Sequence, residues 1–253
     1  MKKLNTLFLI LTLSTGCSQE IVSSKYAESI NSNDLEDLLS VYSSDGFEGR
    51  QTGTKGDRTA ANFLRDFYIS NKIGPALNTI DYFQPYQLNL PGKMYTFNYS
   101  FPSTLRGYDR YAQGDNFVDT QNVASVIEGE IYPESYLIIT GHLDHVGING
   151  DEVYNGADDN GSGTVSILEI AQAFQEAVED GVRPKRSVVF LHVSGEEEGL
   201  LGSEYYVNNS LYPLEDTFAT LNLDMIGRTD PNRGYEDEEY IYSIGSVSYT
   251  HLR

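Results

Sequence analysis

The alternation of apolar and polar positions changes rhythm twice along this chain. From Asp34 to Tyr42, Leu35, Leu38, Leu39 and Tyr42 recur at helical spacing, with Asn33 placed as N-cap. Asp57 to Ser70 repeats the pattern, with Ala60, Phe63, Leu64, Phe67 and Tyr68 on one face. The glycine-rich stretch between them, Gly46 to Gly56, lacks the spacing of a phosphate loop and reads as an ordered loop. Between Ile80 and Phe101 the period falls to two. Tyr95, Phe97, Tyr99 and Phe101 alternate with Thr96, Asn98 and Ser100, the signature of a half-buried antiparallel strand. Pro102 to Asp119 is irregular and polar, and Asn122 to Glu128 reads as a further strand.

After Pro133 short apolar runs alternate with helices. Tyr136–Thr140, Ser187–Val193 and Thr217–Leu223 are the expected strands, and Gly202–Asn208 a short helix. A longer helix, Ser162–Val178, turns Val165, Leu168, Ala171, Phe174 and Val178 inward and Glu169, Gln172, Glu176 and Glu179 outward. The predicted fold class is α/β, a mostly parallel mixed sheet flanked by helices in an α/β/α sandwich. Such sheets bind ligands outside the carboxyl ends of their strands.

Composition narrows the picture. A net charge of −20 over 253 residues argues against nucleic acid, which needs clustered Lys and Arg. It suits a solvated surface, or the attraction of a cationic substrate end such as a free α-amino group. The N-terminus reads as a targeting segment. Lys2 and Lys3 precede an apolar stretch, Leu4 to Leu13, too short to span a bilayer, and Ser14-Thr15-Gly16 is a small-residue cleavage site. Cys17, the single cysteine, follows at once, so no internal disulfide is available. Residues 1–17 thus resemble a bacterial lipoprotein signal with Cys17 as the acylated residue, which implies a lipid anchor at the cell envelope. Residues 18–33 read as a polar tether, and 34–253 as one domain.

Four segments carry the chemistry: His142-Leu143-Asp144-His145, Ala157-Asp158-Asp159-Asn160, Gly195-Glu196-Glu197-Glu198-Gly199 and Leu223-Asp224-Met225. Each follows or ends a predicted strand, or opens the helix at Ser162, so all four converge on one sheet edge. Imidazole and carboxylates in that arrangement fit two divalent cations about 3.5–4 Å apart, which need a shared anionic ligand. Hydrolysis further requires a carboxylate that takes a proton from a metal-activated water and passes it to the leaving amine. Adjacent Glu196 and Glu197 are able to divide these tasks between base and ligand.

At these residues the chain resembles the family 28 metallopeptidases, co-catalytic zinc aminopeptidases of the bacterial leucyl aminopeptidase type. The likeness is dense from Asn122 to Arg228. It implies a zinc-dependent exopeptidase acting on peptides, with two zinc ions. His142 and Asp224 would hold the first zinc, Asp159 would bridge both, and Glu197 would hold the second. Glu196 would be the general base, and Asp144 would orient the His142 imidazole. His145 matches no ligand position, His192 reads as a core histidine, Asp158 as a structural loop residue, and Glu198 as facing solvent or substrate. The second zinc takes its last histidine from a later segment of the family pattern. Only His251 follows Asp224, so the second site is expected to lack one ligand in a C-terminally shortened chain whose residues 247–253 look foreign. A dipeptidase or carboxypeptidase, a glutaminyl cyclase, and a non-catalytic binding lipoprotein are the alternatives.

Overall fold

A computed structural model describes residues 25–89, 96–98, 117–229 and 242–244. The leader, Cys17, most of the strand expected at Tyr95–Phe101 and the tail from 245 lie outside these residues. Tyr242–Ile244 carry no regular structure.

After helical residues 25–27 come two helices, α1 (Ser32–Tyr42) and α2 (Lys55–Ser70), joined by a tight 3-10 turn at Asp45–Arg50. Asn31, not Asn33, caps α1, its side chain accepting from Asn33 N and Asp34 N. Thr54 caps α2 by accepting from Asp57 N, so that helix also starts slightly ahead of expectation. Strands β1 (Gly74–Pro75), β2 (Phe83–Asn89), β3 (Thr96–Asn98) and β4 (Phe117–Ile127) follow. β4 starts before Asn122, taking in residues expected to be irregular. Then come β5 (Tyr132–His142), a small hairpin of β6 (Gly147–Asn149) and β7 (Glu152–Tyr154), and helix α3 (Gly163–Glu179). Strand β8 (Arg186–Val193), helix α4 (Leu201–Asn208) and strand β9 (Thr217–Asn222) complete the order.

The main sheet runs β3-β2-β4-β8-β5-β9, with β1 on β4. It is mixed, as expected, but among the described residues its antiparallel ladders outnumber the parallel ones. Only β8 with β5 and β5 with β9 are parallel. The helix-strand rhythm after Pro133 reports those crossovers and is silent about the earlier strands, which add on in antiparallel order.

Strand β8 is the spine. Val188 and Phe190 pack into one core with α1, α2 and α3, while Val189, Leu191 and Val193 pack into another with Tyr206 of α4, Leu211 and Tyr212. Both faces are therefore buried, which explains its unbroken apolar run. Helix α3 presents Val165, Leu168, Ala171, Phe174 and Val178 to the first core. Glu169 corrects the outward assignment: it is buried, because α1 crosses α3 and covers that side. Burial raises its carboxyl pKa.

Two buried titratable groups sit beneath the sheet end. His192 is fully buried, as expected of a core histidine, its Nε2 2.7 Å from Tyr68 Oη. Burial pushes it down to about 3. Asp57 accepts from Gly53 N (3.0 Å), Thr120 Oγ1 (2.8 Å) and Ser194 Oγ (2.9 Å), and burial pushes it up to about 7. Between its ordinary 3.8 and about 7 only the folded chain holds the Asp57 proton, so that contribution to stability is lost as pH rises through this range. His192 acts oppositely: between about 3 and 6.5 only the unfolded chain protonates it, so stability is lost as pH falls. The two slopes offset each other where they overlap. Asp57→Asn removes one of them. Its stability relative to the parent is expected to rise with pH from about 4 to above 7, by up to roughly 4 kcal/mol. Urea unfolding in chelator at both ends of that range checks this, and a pH-independent difference would refute it.

Candidate metal centre

Hydrogen bonds in register bring the strand tips together. Leu143 N donates to Val193 O and Leu223 N to Thr140 O, both at 2.8 Å, so the residues after β5, β8 and β9 emerge side by side. Thr164 Oγ1, at the start of α3, donates to His142 O at 2.8 Å. The same edge therefore also receives the turn that opens α3.

His142 is almost completely buried and its ring direction is fixed. Nδ1 lies 3.1 Å from the main-chain carbonyl of Asp144, which leaves Nε2 free to face outward. Nε2 is 3.2 Å from Asp159 Oδ1, 3.6 Å from Asp224 Oδ1 and 4.0 Å from Glu196 Oε2. Burial lowers the pKa of the imidazole, but the carboxylates of Asp144, Glu196 and Asp224 outweigh it and raise the group to about 9.

Asp144 faces the His142 ring and carries a second load. Its carboxylate is 3.7 Å from His142 Nδ1, and its carbonyl makes the closer contact. The fully buried carboxylate also accepts from Glu196 N (3.2 Å), Glu197 N (3.3 Å) and Thr52 Oγ1 (2.9 Å). It thus pins the Glu-Glu loop beside the histidine loop. That loop is closed by Gly199 N and Leu200 N on Glu196 O, with Gly195 and Gly199 at φ +79° and +111°, where a side chain would be strained. Burial, reinforced by Asp144, Glu197 and Asp224 against an opposing His142, raises the Glu196 carboxyl.

Asn160 does the corresponding work for Asp159 and Asp224. Its Nδ2 donates to Leu223 O (2.9 Å), and its Oδ1 accepts from Gly163 N (3.1 Å) and Met225 N (3.3 Å). Asp158 is a structural loop residue, as expected, accepting from Gly227 N at 2.9 Å and pairing with Arg228.

Of the six residues expected to serve the metals, His142, Asp159, Glu196, Glu197 and Asp224 converge and Asp144 stands behind them. The structure adds two residues. His145 Nδ1 lies 2.6 Å from Glu197 Oε1, inside the site and not merely near it. Arg50, fully buried, donates to Leu143 O (3.0 Å), Tyr42 O (3.2 Å), Asn155 O (2.7 Å) and Gly156 O (2.7 Å). Its only sequence signal is its place in the glycine-rich loop at 46–56.

The donor set suits a divalent cation that accepts both nitrogen and oxygen. One ligand atom from each of His142, Asp159 and Asp224 lies within 4.8 Å of the others, and the same holds for His145, Asp159 and Glu197. Asp159 is common to both groups. Residues 122–247 match the model of peptidase family M28. That segment contains all of the converging site residues. The leupeptin-inactivating enzyme 1 of Streptomyces exfoliatus is 42% identical over 105 residues, which are 41% of this chain and 22% of that enzyme. The aminopeptidase of Aneurinibacillus sp. strain AM-1 shares the fold at a TM-score of 0.58 and 14% identity, covering 81% of this chain and 73% of that one. Glutaminyl cyclase of Porphyromonas gingivalis shares it at 0.54 and 17%, covering 79% and 61%. The chain spans less than a quarter of the length of the Streptomyces relative. The match to family M28 supports zinc as the metal.

Proposed function

We propose that this chain is a zinc-dependent aminopeptidase that hydrolyses N-terminal peptide bonds. The observation that carries this reading is the fixed, outward-facing His142 Nε2, which meets Asp159 and Asp224 with the Glu196 carboxylate alongside. His142, Asp159 and Asp224 would hold one zinc, and Asp159 with Glu197 would face a second. Zinc there supplies Lewis acidity to the scissile carbonyl and to the attacking water. The rest falls to the protein. Glu196, its pKa raised, accepts the proton from water and delivers it to the leaving amine. Asp144 holds that carboxylate in place through the main chain.

Charge favours a free amine over a free carboxylate as the anchored substrate end. A carboxypeptidase needs an available cation, whereas among the described residues beside the site Arg50 is committed to four carbonyls and Arg228 pairs with Asp158. Zinc-loaded chain is expected to cleave aminoacyl chromogenic amides and to leave their N-acetylated counterparts untouched. Equal cleavage of both would overturn the exopeptidase reading. From the sequence alone we also place acylated Cys17 as a tether to the bacterial envelope, a reading that detergent-phase partitioning tests.

A further inference from the structure

We infer that His145 supplies a nitrogen ligand to the second metal position, a role that the motif pattern does not assign to it. The inference rests on the two-metal reading above and extends it to a residue outside the expected set.

Three independent observations converge on His145. First, its Nδ1 already contacts Glu197 Oε1 at 2.6 Å, and ligand atoms of His145, Glu197 and Asp159 lie within 4.8 Å of one another. Two ligands of one tetrahedral zinc stand about 3.3 Å apart, given Zn–N and Zn–O distances near 2.0–2.2 Å. A rotation that opens the Nδ1–Oε1 contact by less than about 1 Å therefore suffices.

Second, the residue is built in. Its side chain is 14% exposed, and its main-chain N–H donates to Arg50 O at 3.2 Å. The Arg50 guanidinium in turn grips Leu143 O on one side of His145, and Asn155 O and Gly156 O on the turn leading to Asp159. Third, room for the ring is made by a glycine. A Cβ at Gly156 would lie 2.5–2.6 Å from His145 Cδ2 and Cγ, and Gly156 also has φ +54°. The imidazole is thus packed against the turn that carries the shared carboxylate.

The chemistry fits as well. Among the described residues Asp159 and Glu197 would make a hard oxygen site by themselves, and an imidazole shifts the preference towards zinc. His142 supplies that nitrogen in one cluster, and His145 supplies it in the other.

Calorimetric titration of the full chain with zinc separates the possibilities. The parent is expected to bind at two sites, and His145→Ala to lose at least about 100-fold in affinity at one of them. That exceeds the roughly 10–100-fold that losing an outer-shell partner costs. Histidine 15N chemical shifts of the parent, read as zinc is added, need no variant and so cover the case in which His145→Ala fails to fold. Nδ1 of His145 is expected to move as a metal-bound nitrogen does. An unmoved Nδ1, or a variant with parental affinity at both sites, would overturn the role of His145. Loss of both sites in His142→Ala with no change in His145→Ala would leave the family site standing and refute only this inference. Absence of any zinc binding by the folded parent would sink the underlying reading itself.

Discussion

Replacing Arg50 by methionine is expected to cost about 2–6 kcal/mol of stability, a large part of the margin of a typical domain. The side chain is fully buried, stacks 4.6 Å over the Tyr42 ring and donates to carbonyls of four residues. Methionine fills much of the volume but donates nothing. Leu143 O keeps Tyr42 Oη as a donor and Gly156 O keeps Gly161 N. Tyr42 O and Asn155 O lose theirs, and each carbonyl left buried without a donor costs about 1–3 kcal/mol. Arg50→Lys is expected to fall between the two, since an ammonium is a compact charge with three donors and lacks the planar fork. A second effect follows from charge. Asp144, Asp159 and Glu197 all interact electrostatically with Arg50, so its removal leaves their mutual repulsion less compensated. Added zinc should therefore raise the melting temperature of Arg50→Met by more than that of the parent. Thermal melts followed by circular dichroism, with and without zinc, decide the matter. A variant melting within a few degrees of the parent would show that the guanidinium is dispensable.

Glu196→Gln is expected to reduce aminopeptidase turnover by about 10²–10⁴-fold while leaving the melting temperature near that of the parent. The amide keeps the shape of the side chain and the main-chain contact to Asp144, but its carbonyl oxygen is far too weak a base to take a proton from water. Zinc affinity should change little, because Glu196 Oε2 stands 4.0 Å from His142 Nε2, farther than Asp159 or Asp224. Turnover within tenfold of the parent, at equal zinc content, would assign the proton transfer to another group.

How much of this was legible in the sequence depended on the kind of interaction involved. Helix α3 and strand β8 could be read because burial against a layered core imposes a period, and the residues that satisfy it are chemically alike. The strand-tip constellation could be read because ligand chemistry restricts residue types and the glycines around them. Arg50 could not, because its partners are main-chain carbonyls, which leave no trace in residue identity. Glu169 was misplaced because a helical pattern assumes one covering layer, and α1 adds another. Asn31 and Asn33 are equally good caps two residues apart, so only the backbone distinguishes them. His145 escaped for a different reason. Its part depends on a ring-to-carboxylate distance across the Glu197 loop, to which spacing along the chain is blind.

The two-sided burial of β8 also bears on what happens when the sheet opens. Val188-Val189-Phe190-Leu191 is a short β-prone run with neither charge nor proline, the kind of segment that templates intermolecular strand stacking once exposed. Positive charge at Lys185 and Arg186 guards one end, and Glu196, Glu197 and Glu198 guard the other. The glutamates that crowd the metal centre therefore have a second use in the unfolded chain, where their repulsion opposes aggregation of the strand that precedes them.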